Sequence, residues 1–138
     1  GNNVIIANNV PLGGHVIVED SVVIGGNSAV QQFTRIGRMA MIGGMTGVLK
    51  DVIPFGLSVG NRNYLQGLNL IGLRRKNYEN KKIMELNKAY DEIFSSKNLQ
   101  ENLSKINGQF KDNELVEEVI NFIAKDKKRA ICTPLNKE

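Results

Sequence analysis

A solenoid of short parallel strands, followed by a small bundle of helices, is what this sequence predicts. Three observations predict it. One aliphatic side chain returns every sixth residue without a miss, through Ile6, Leu12, Val18, Ile24, Val30, Ile36, Ile42 and Val48. Two residues before each stands a small or β-branched residue: Val4, Val10, Val16, Val22, Ser28, Thr34, Ala40 and Thr46. From Leu70 onward the apolar residues change to helical spacing. A period of six is neither the 3.6 of a helix nor the alternation of a two-faced sheet. It is the signature of a hexapeptide-repeat parallel β-helix, each hexad giving one short strand and a corner, with three hexads to a coil of roughly 18 residues.

Taken in order, the repeat runs to about Asp51, so residues 1–53 are assigned to the β-helix. Its periodic aliphatics point inward and stack, and each buried side chain contributes about 1.5–3 kcal/mol. Gly25-Gly26-Asn27 and Gly43-Gly44 are expected at corners, where positive φ is often required. The chain opens on Gly1 in mid-repeat, and a bare first coil would leave an open strand edge. The chain is therefore expected to be the C-terminal part of a longer protein.

Pro54 ends the period, and residues 54–69, with Gly60-Asn61 and Gln66-Gly67, read as an ordered connecting loop. Residues 70–138 are assigned to a helical C-terminal domain. A short helix is predicted over Leu70 to Lys76. A second carries Ile83, Leu86, Tyr90, Ile93 and Phe94 on one face. Asn98 with Glu101 caps a third, which turns Leu99, Leu103 and Ile106 inward and stops at Gly108. Asp112 or Asn113 caps a fourth, with Leu115, Val119, Ile120 and Ile123 apolar. The run Lys125 to Arg129 reads as a solvated end, with docking of an acidic partner as the other reading, and the tail from Thr133 as loose.

Composition narrows the function classes. The net charge of +4 comes from four basic against three acidic residues before Leu70, and 14 against 11 from there on. So mild and interleaved a surplus suits phosphate groups or an acidic partner and does not argue for nucleic acid. No apolar run approaches the roughly 20 residues that span a bilayer. A single cysteine, Cys132, excludes an intramolecular disulfide and fits a reducing cytoplasm. One histidine, His15, limits metal chemistry as sharply: a hexapeptide carbonic anhydrase needs three zinc histidines, which these residues cannot supply although a segment upstream of Gly1 could. On composition alone His15 is a surface residue, and Arg74-Arg75-Lys76 is a solvated face.

Several segments carry a family resemblance. The hexads, Gly13-Gly14-His15, Val30-Gln31-Gln32-Phe33, Gly60-Asn61 and Gly67-Leu68-Asn69-Leu70-Ile71-Gly72-Leu73-Arg74-Arg75 together resemble one family. It is the acyl-carrier-protein-dependent UDP-N-acetylglucosamine O-acyltransferases, which begin lipid A synthesis. The resemblance implies a left-handed β-helix, a homotrimer with clefts between subunits, and no cofactor. The implied partners are an acyl carrier protein bearing a 3-hydroxyacyl thioester and UDP-N-acetylglucosamine. In such a reaction a histidine takes the proton of the sugar 3-hydroxyl while a backbone N–H holds the tetrahedral oxyanion.

Residue by residue, the resemblance gives Gly14 the oxyanion contact and His15 substrate positioning. Gln32 and Asn69 match sugar- or nucleotide-binding positions, and Arg75 and Lys76 match a basic pair near the nucleotide. Gly44 matches the position that limits acyl length, where a glycine implies a longer chain. The general base would lie about one coil before Gly14, upstream of Gly1, so these residues alone are expected to lack activity. Three departures stand out. Gln31 occupies a histidine position, Ile71 a position that can be acidic, and Lys76 gives a point charge where relatives have an arginine fork. Hydroxyl and amine acceptors both stay open. Other readings are a different hexapeptide acyltransferase, such as the carrier-protein-dependent N-acyltransferase of the same pathway, or a non-catalytic trimeric β-helix module.

Overall fold

The structure, a computed structural model, describes residues 1–106 and 108–135. These fall into two compact units, one formed by Gly1–Asn69 with the segment from Asp126 on, the other by Leu70–Lys125.

The first unit is a parallel β-helix with three faces. Strands β1 (Ile5–Ile6), β3 (Val23–Ile24) and β6 (Met41–Ile42) pair in parallel on one face. Strands β2 (Ile17–Val18) and β5 (Arg35–Ile36) form the second, and β4 (Ala29–Val30) and β7 (Gly47–Val48) the third. The register Ile5 with Val23 and Ile17 with Arg35 sets one coil at 18 residues. Ile24, Ile36, Ile42 and Val48 are fully or almost fully buried in the middle of the stack. Ser28, Thr34 and Thr46 are buried beside them, and Ser28 and Thr46 both donate to Gly43 O. Polar side chains are thus tolerated at the inner small position because a corner carbonyl accepts from them.

The corners correct one expectation. Positive φ does not fall on the corner glycines but recurs every six residues on Asn3, Asn9, His15, Ser21, Asn27, Phe33, Met39 and Met45. Three of these eight are asparagine, which tolerates the left-handed region better than most residues. The glycines serve close approach instead. A Cβ on Gly13 would lie 2.4 Å from Gln32 N, and one on Gly25 2.5 Å from Gly44 N.

The last coil is shorter. Ile36 pairs with Val52 and Met41 with Leu57, both 16 residues on. The segment expected as a loop is instead a hairpin, β8 (Gly56–Val59) and β9 (Tyr64–Leu68), which extends the first face to five strands. Along β8 burial alternates as it should for a strand, but its four residues are too few for the period to stand out in the sequence. Asn63, buried in the turn, accepts from Leu49 N and Lys50 N through Oδ1 and donates to Lys50 O and Ser58 Oγ.

A second correction concerns residues 126–135, which the sequence reading assigns to the helical part. They return to the β-helix, where Asp51 N donates to Ala130 O, Cys132 N to Asp51 O and Leu65 N to Thr133 O. The edge of the last coil has backbone groups to satisfy, and this segment satisfies them. Arg129, expected at a solvated end, donates from Nη2 to Asp51 Oδ1 at 3.2 Å. Asp51 is fully buried and also pairs with Arg35 Nε at 2.7 Å.

Cys132 is buried and shares a 3.5 Å hydrogen bond with Ser58 Oγ. Burial raises its thiol to about 11, against smaller lowering effects of Ser58 and Lys50. Because the folded value lies above the ordinary 9.0, the thiol's contribution to stability is full below pH 9 and is lost as the pH rises toward 11. Native Cys132 is expected to react with a thiol reagent at pH 8 at least about a hundredfold more slowly than the unfolded chain, from its thiolate fraction alone. Equal rates in a stopped-flow labelling experiment would contradict this placement.

The second unit holds α1 (Leu70–Arg75), α2 (Asn80–Ile93), α3 (Leu99–Ile106) and α4 (Glu114–Lys125), with α2 packed against the other three. Asn77, at φ 61°, ends α1 in the left-handed conformation, and Tyr78 N reaches back to Leu73 O. Asn98 Oδ1 accepts from Glu101 N, and Asn113 Oδ1 from Leu115 N and Val116 N, so Asn113 is the cap of α4. Ile83, Leu86, Ile93, Leu103, Ile106, Leu115, Val119 and Ile123 are buried, as the spacing predicts. Val116 and Phe122 add to that core. Buried Asn102 donates to Ile93 O and Ser96 O, closing the end of α2.

Candidate active site

One corner of the β-helix collects the unusual residues. It joins the face of β4 and β7 to that of β2 and β5, and successive coils stack Gly13-Gly14-His15 on Gln31-Gln32-Phe33. Phe33 N donates to Gly14 O at 2.9 Å, which fixes the register. The structure therefore brings Gly14, His15 and Gln32 together.

At three corners a side-chain oxygen accepts from the N–H of the middle residue. Asn2 N donates to Asp20 Oδ1 at 2.6 Å, Arg38 N to Glu19 Oε1 at 2.9 Å and Lys50 N to Asn63 Oδ1 at 3.2 Å. Two of these three acceptors are carboxylates. Gly14 holds the same hexad position, and among the described residues nothing accepts its N–H. A Cβ built on Gly14 would meet nothing within 4 Å. The Gly14 N–H is thus a donor still open to a ligand oxygen.

His15 follows directly. Its backbone is left-handed at φ 58°, its side chain is exposed, and its imidazole stacks on the Phe33 ring with centroids 5.0 Å apart and planes 5° from parallel. Among the described residues nothing hydrogen-bonds its ring nitrogens. Gln32 is exposed beside it. The corner thus offers backbone donors, one imidazole and the Gln32 amide to whatever lies against it. It holds nothing resembling a metal centre, since among the described residues no three His, Cys, Asp or Glu side chains cluster.

The other expected site residues lie elsewhere. Gly44 occupies a different corner, stacked on Gly26, with Met45 N donating to Gly26 O. A Cβ there would come no closer than 3.5 Å to Gly26 O, so a side chain fits and projects outward. Asn69 is tied to the third corner, its backbone N donating to Phe55 O and its side-chain amide to Met39 O. Arg75 and Lys76 are exposed at the end of α1 in the helical unit. Sequence reasoning did not couple Phe33 to His15, although residues 18 apart in an 18-residue coil must stack.

Comparison with known proteins bears on this geometry. A family profile described as "Udp N-acetylglucosamine O-acyltransferase; Domain 2" matches residues 51–132. The acyl-[acyl-carrier-protein]--UDP-N-acetylglucosamine O-acyltransferase of Sinorhizobium fredii is 42% identical over 135 residues, covering 97% of this chain and 50% of its own. That of Rhizobium leguminosarum bv. trifolii is 44% identical over the same length, with the same coverage. Among solved structures, LpxA from Acinetobacter baumannii is similar with a TM-score of 0.88 at 33% identity, covering 94% of this chain and 51% of that one. The Arabidopsis UDP-N-acetylglucosamine acyltransferase gives 0.87 at 36% identity, covering 94% and 48%. The chain spans about half the length of the curated relatives it matches. By sequence over 97% of its length and by the geometry of its coils, the chain belongs to the UDP-N-acetylglucosamine O-acyltransferase family.

Proposed function

We propose that the protein carrying these residues transfers a 3-hydroxyacyl chain from acyl carrier protein to the 3-hydroxyl of UDP-N-acetylglucosamine, the first step of lipid A synthesis. The observation that carries this reading is the Gly14-His15 corner, a backbone N–H with no acceptor among the described residues beside an imidazole with unengaged nitrogens. The sugar oxygen attacks the thioester carbonyl carbon, its proton passes to a general base, and the carbonyl oxygen becomes an oxyanion. Gly14 N–H donates to that oxyanion. Removing one such donor elsewhere costs on the order of a hundred- to a thousandfold in rate. The intermediate then collapses, the carbon–sulfur bond breaks, and the carrier's sulfur leaves with a proton.

His15 is the chain's one imidazole, and this reading gives it substrate positioning, with the base a histidine outside these 138 residues. Gln32 and Asn69 contact the sugar or nucleotide, and Arg75 and Lys76 the phosphates, where Lys76 acts as a point charge. Neighbouring subunits of a homotrimer of left-handed β-helices complete each cleft, in the cytoplasm where both substrates are held. No described helix is long and apolar enough to cross a membrane.

Assays on a protein of the relatives' full length, with UDP-N-acetylglucosamine and its 3-amino analogue, test the reading. Turnover of the hydroxyl sugar is expected, and no turnover with either would overturn the assignment. Preference for the amine would move it to the N-acyl side of the chemistry. Because a Gly44 side chain fits without strain, Gly44→Met is expected to leave folding intact and shift preference toward acyl chains shorter by several carbons. An unchanged chain-length profile would remove Gly44 from the acyl path.

A further inference from the structure

The His15–Phe33 stack points to a role that the reaction scheme leaves unfilled. His15 can position a substrate only if its own ring is held, and among the described residues nothing hydrogen-bonds the imidazole. What it does have is Phe33, parallel to within 5° at a centroid distance of 5.0 Å. That separation lies within the range of favourable aromatic pairs.

Phe33 is costly where it stands. Its φ is 65°, in a region that bulky side chains avoid. Asn3, Asn9 and Asn27 fill the same hexad position, and asparagine tolerates it. Of three other large residues at left-handed corners, Phe55 and Met39 are buried, which offsets the strain, while Met45 is 77% exposed and has no ring to stack on. Phe33 remains 52% exposed, so the solenoid core gains little from it. A large ring at a strained and half-exposed corner contributes mainly to its neighbour on the next coil.

We propose that Phe33 is a positioning residue for acyl transfer. It holds the His15 imidazole plane so that both ring nitrogens point along the cleft rather than into the stack. Hydrogen bonds to an imidazole lie in the ring plane, so fixing that plane fixes the direction from which a hydroxyl or phosphate oxygen is bound. Without the phenyl face the ring swings about its χ angles. The near-attack geometry it supports is then populated less often, which can cost about a hundredfold for a displacement near 1 Å.

The inference rests on the acyl-transfer reading, and a double-substitution cycle separates the two. In the full-length enzyme Phe33→Leu is expected to lower kcat/KM on the order of ten- to a hundredfold. Phe33→Tyr, which keeps the ring face, should restore it to within about threefold. In a His15→Ala background Phe33→Leu should add no more than about twofold, because the residue it positions is gone. A further readout is the histidine C–H proton resonance that disappears in His15→Ala. It should lie upfield through the Phe33 ring current and move downfield in Phe33→Leu while the melting temperature stays within a few degrees.

Turnover by the parent protein with a wild-type-like Phe33→Leu, or with additive losses in the double variant, would overturn the inference alone. A histidine resonance unmoved by Phe33→Leu would do the same. No turnover by the parent protein would overturn the acyl-transfer reading and this role with it.

Discussion

Replacing Asp51 by asparagine is expected to destabilise the β-helix by about 3–5 kcal/mol, the range for breaking a buried ion pair by removing one partner. Asp51 is fully buried and accepts from three directions. Arg35 N donates to Oδ1 at 3.0 Å, Arg35 Nε to Oδ2 at 2.7 Å and Arg129 Nη2 to Oδ1 at 3.2 Å. Arg35 is itself 8% exposed, so its charge has little water to fall back on. Asparagine keeps the shape but removes the negative charge that both guanidinium groups face, and its amide must turn a donor toward one of them. The effect reaches the backbone too, since Asp51 N and O hold Ala130 and Cys132. Urea unfolding followed by a probe in the β-helix measures it. A loss below about 1 kcal/mol would show that the pair is merely surface-like. Arg129→Met should cost less, because that side chain is 28% exposed and its charge can be resolvated.

His15→Ala in the full-length enzyme is expected to lower kcat/KM on the order of a hundredfold while leaving the melting temperature nearly unchanged. The two halves follow from one observation. The imidazole is exposed and makes no hydrogen bond to any described residue, so folding has little to lose. It stands beside the Gly14 N–H, so a substrate held there has much to lose. The left-handed backbone at φ 58° makes alanine mildly strained, and asparagine is the control that keeps the backbone content. A loss confined to KM would assign His15 to uniform binding, and equal loss in kcat and kcat/KM to the transition state. Activity within about twofold of the parent would remove His15 from the site.

Much of the fold was legible because one physical rule repeats. Ile6 to Val48 keep a six-residue period over eight hexads, and no helix or two-faced sheet imposes that spacing. The caps of α3 and α4 were legible for a similar reason, since Asn98 and Asn113 act within three residues of themselves. What was hidden depends on distance along the chain. Arg129 finds Asp51 across 78 residues, and no local pattern announces a pair of that separation. The hairpin of β8 and β9 was hidden by its shortness, with Gly60 at positive φ in the turn after β8 and Gly67 at positive φ within β9.

The site divides in the same way. Gly14, His15 and Gln32 were singled out through the family resemblance, and the structure sets the three at one corner. Phe33 was visible in principle, an aromatic one coil from a histidine at the same phase. The arithmetic of 18 residues had to be applied to side chains rather than to strands alone. Asn69 shows the opposite. Its side chain already donates to Met39 O, a contact no sequence motif discloses.

The most direct test of the central claim is a crystal structure of the full-length protein bound to acylated UDP-N-acetylglucosamine. The acyl carbonyl oxygen should lie about 3 Å from Gly14 N, with the His15 imidazole in contact with the sugar or the acyl chain. A product bound with the Gly14 N–H and His15 both facing solvent would contradict the assignment of this corner as the acyl-transfer site.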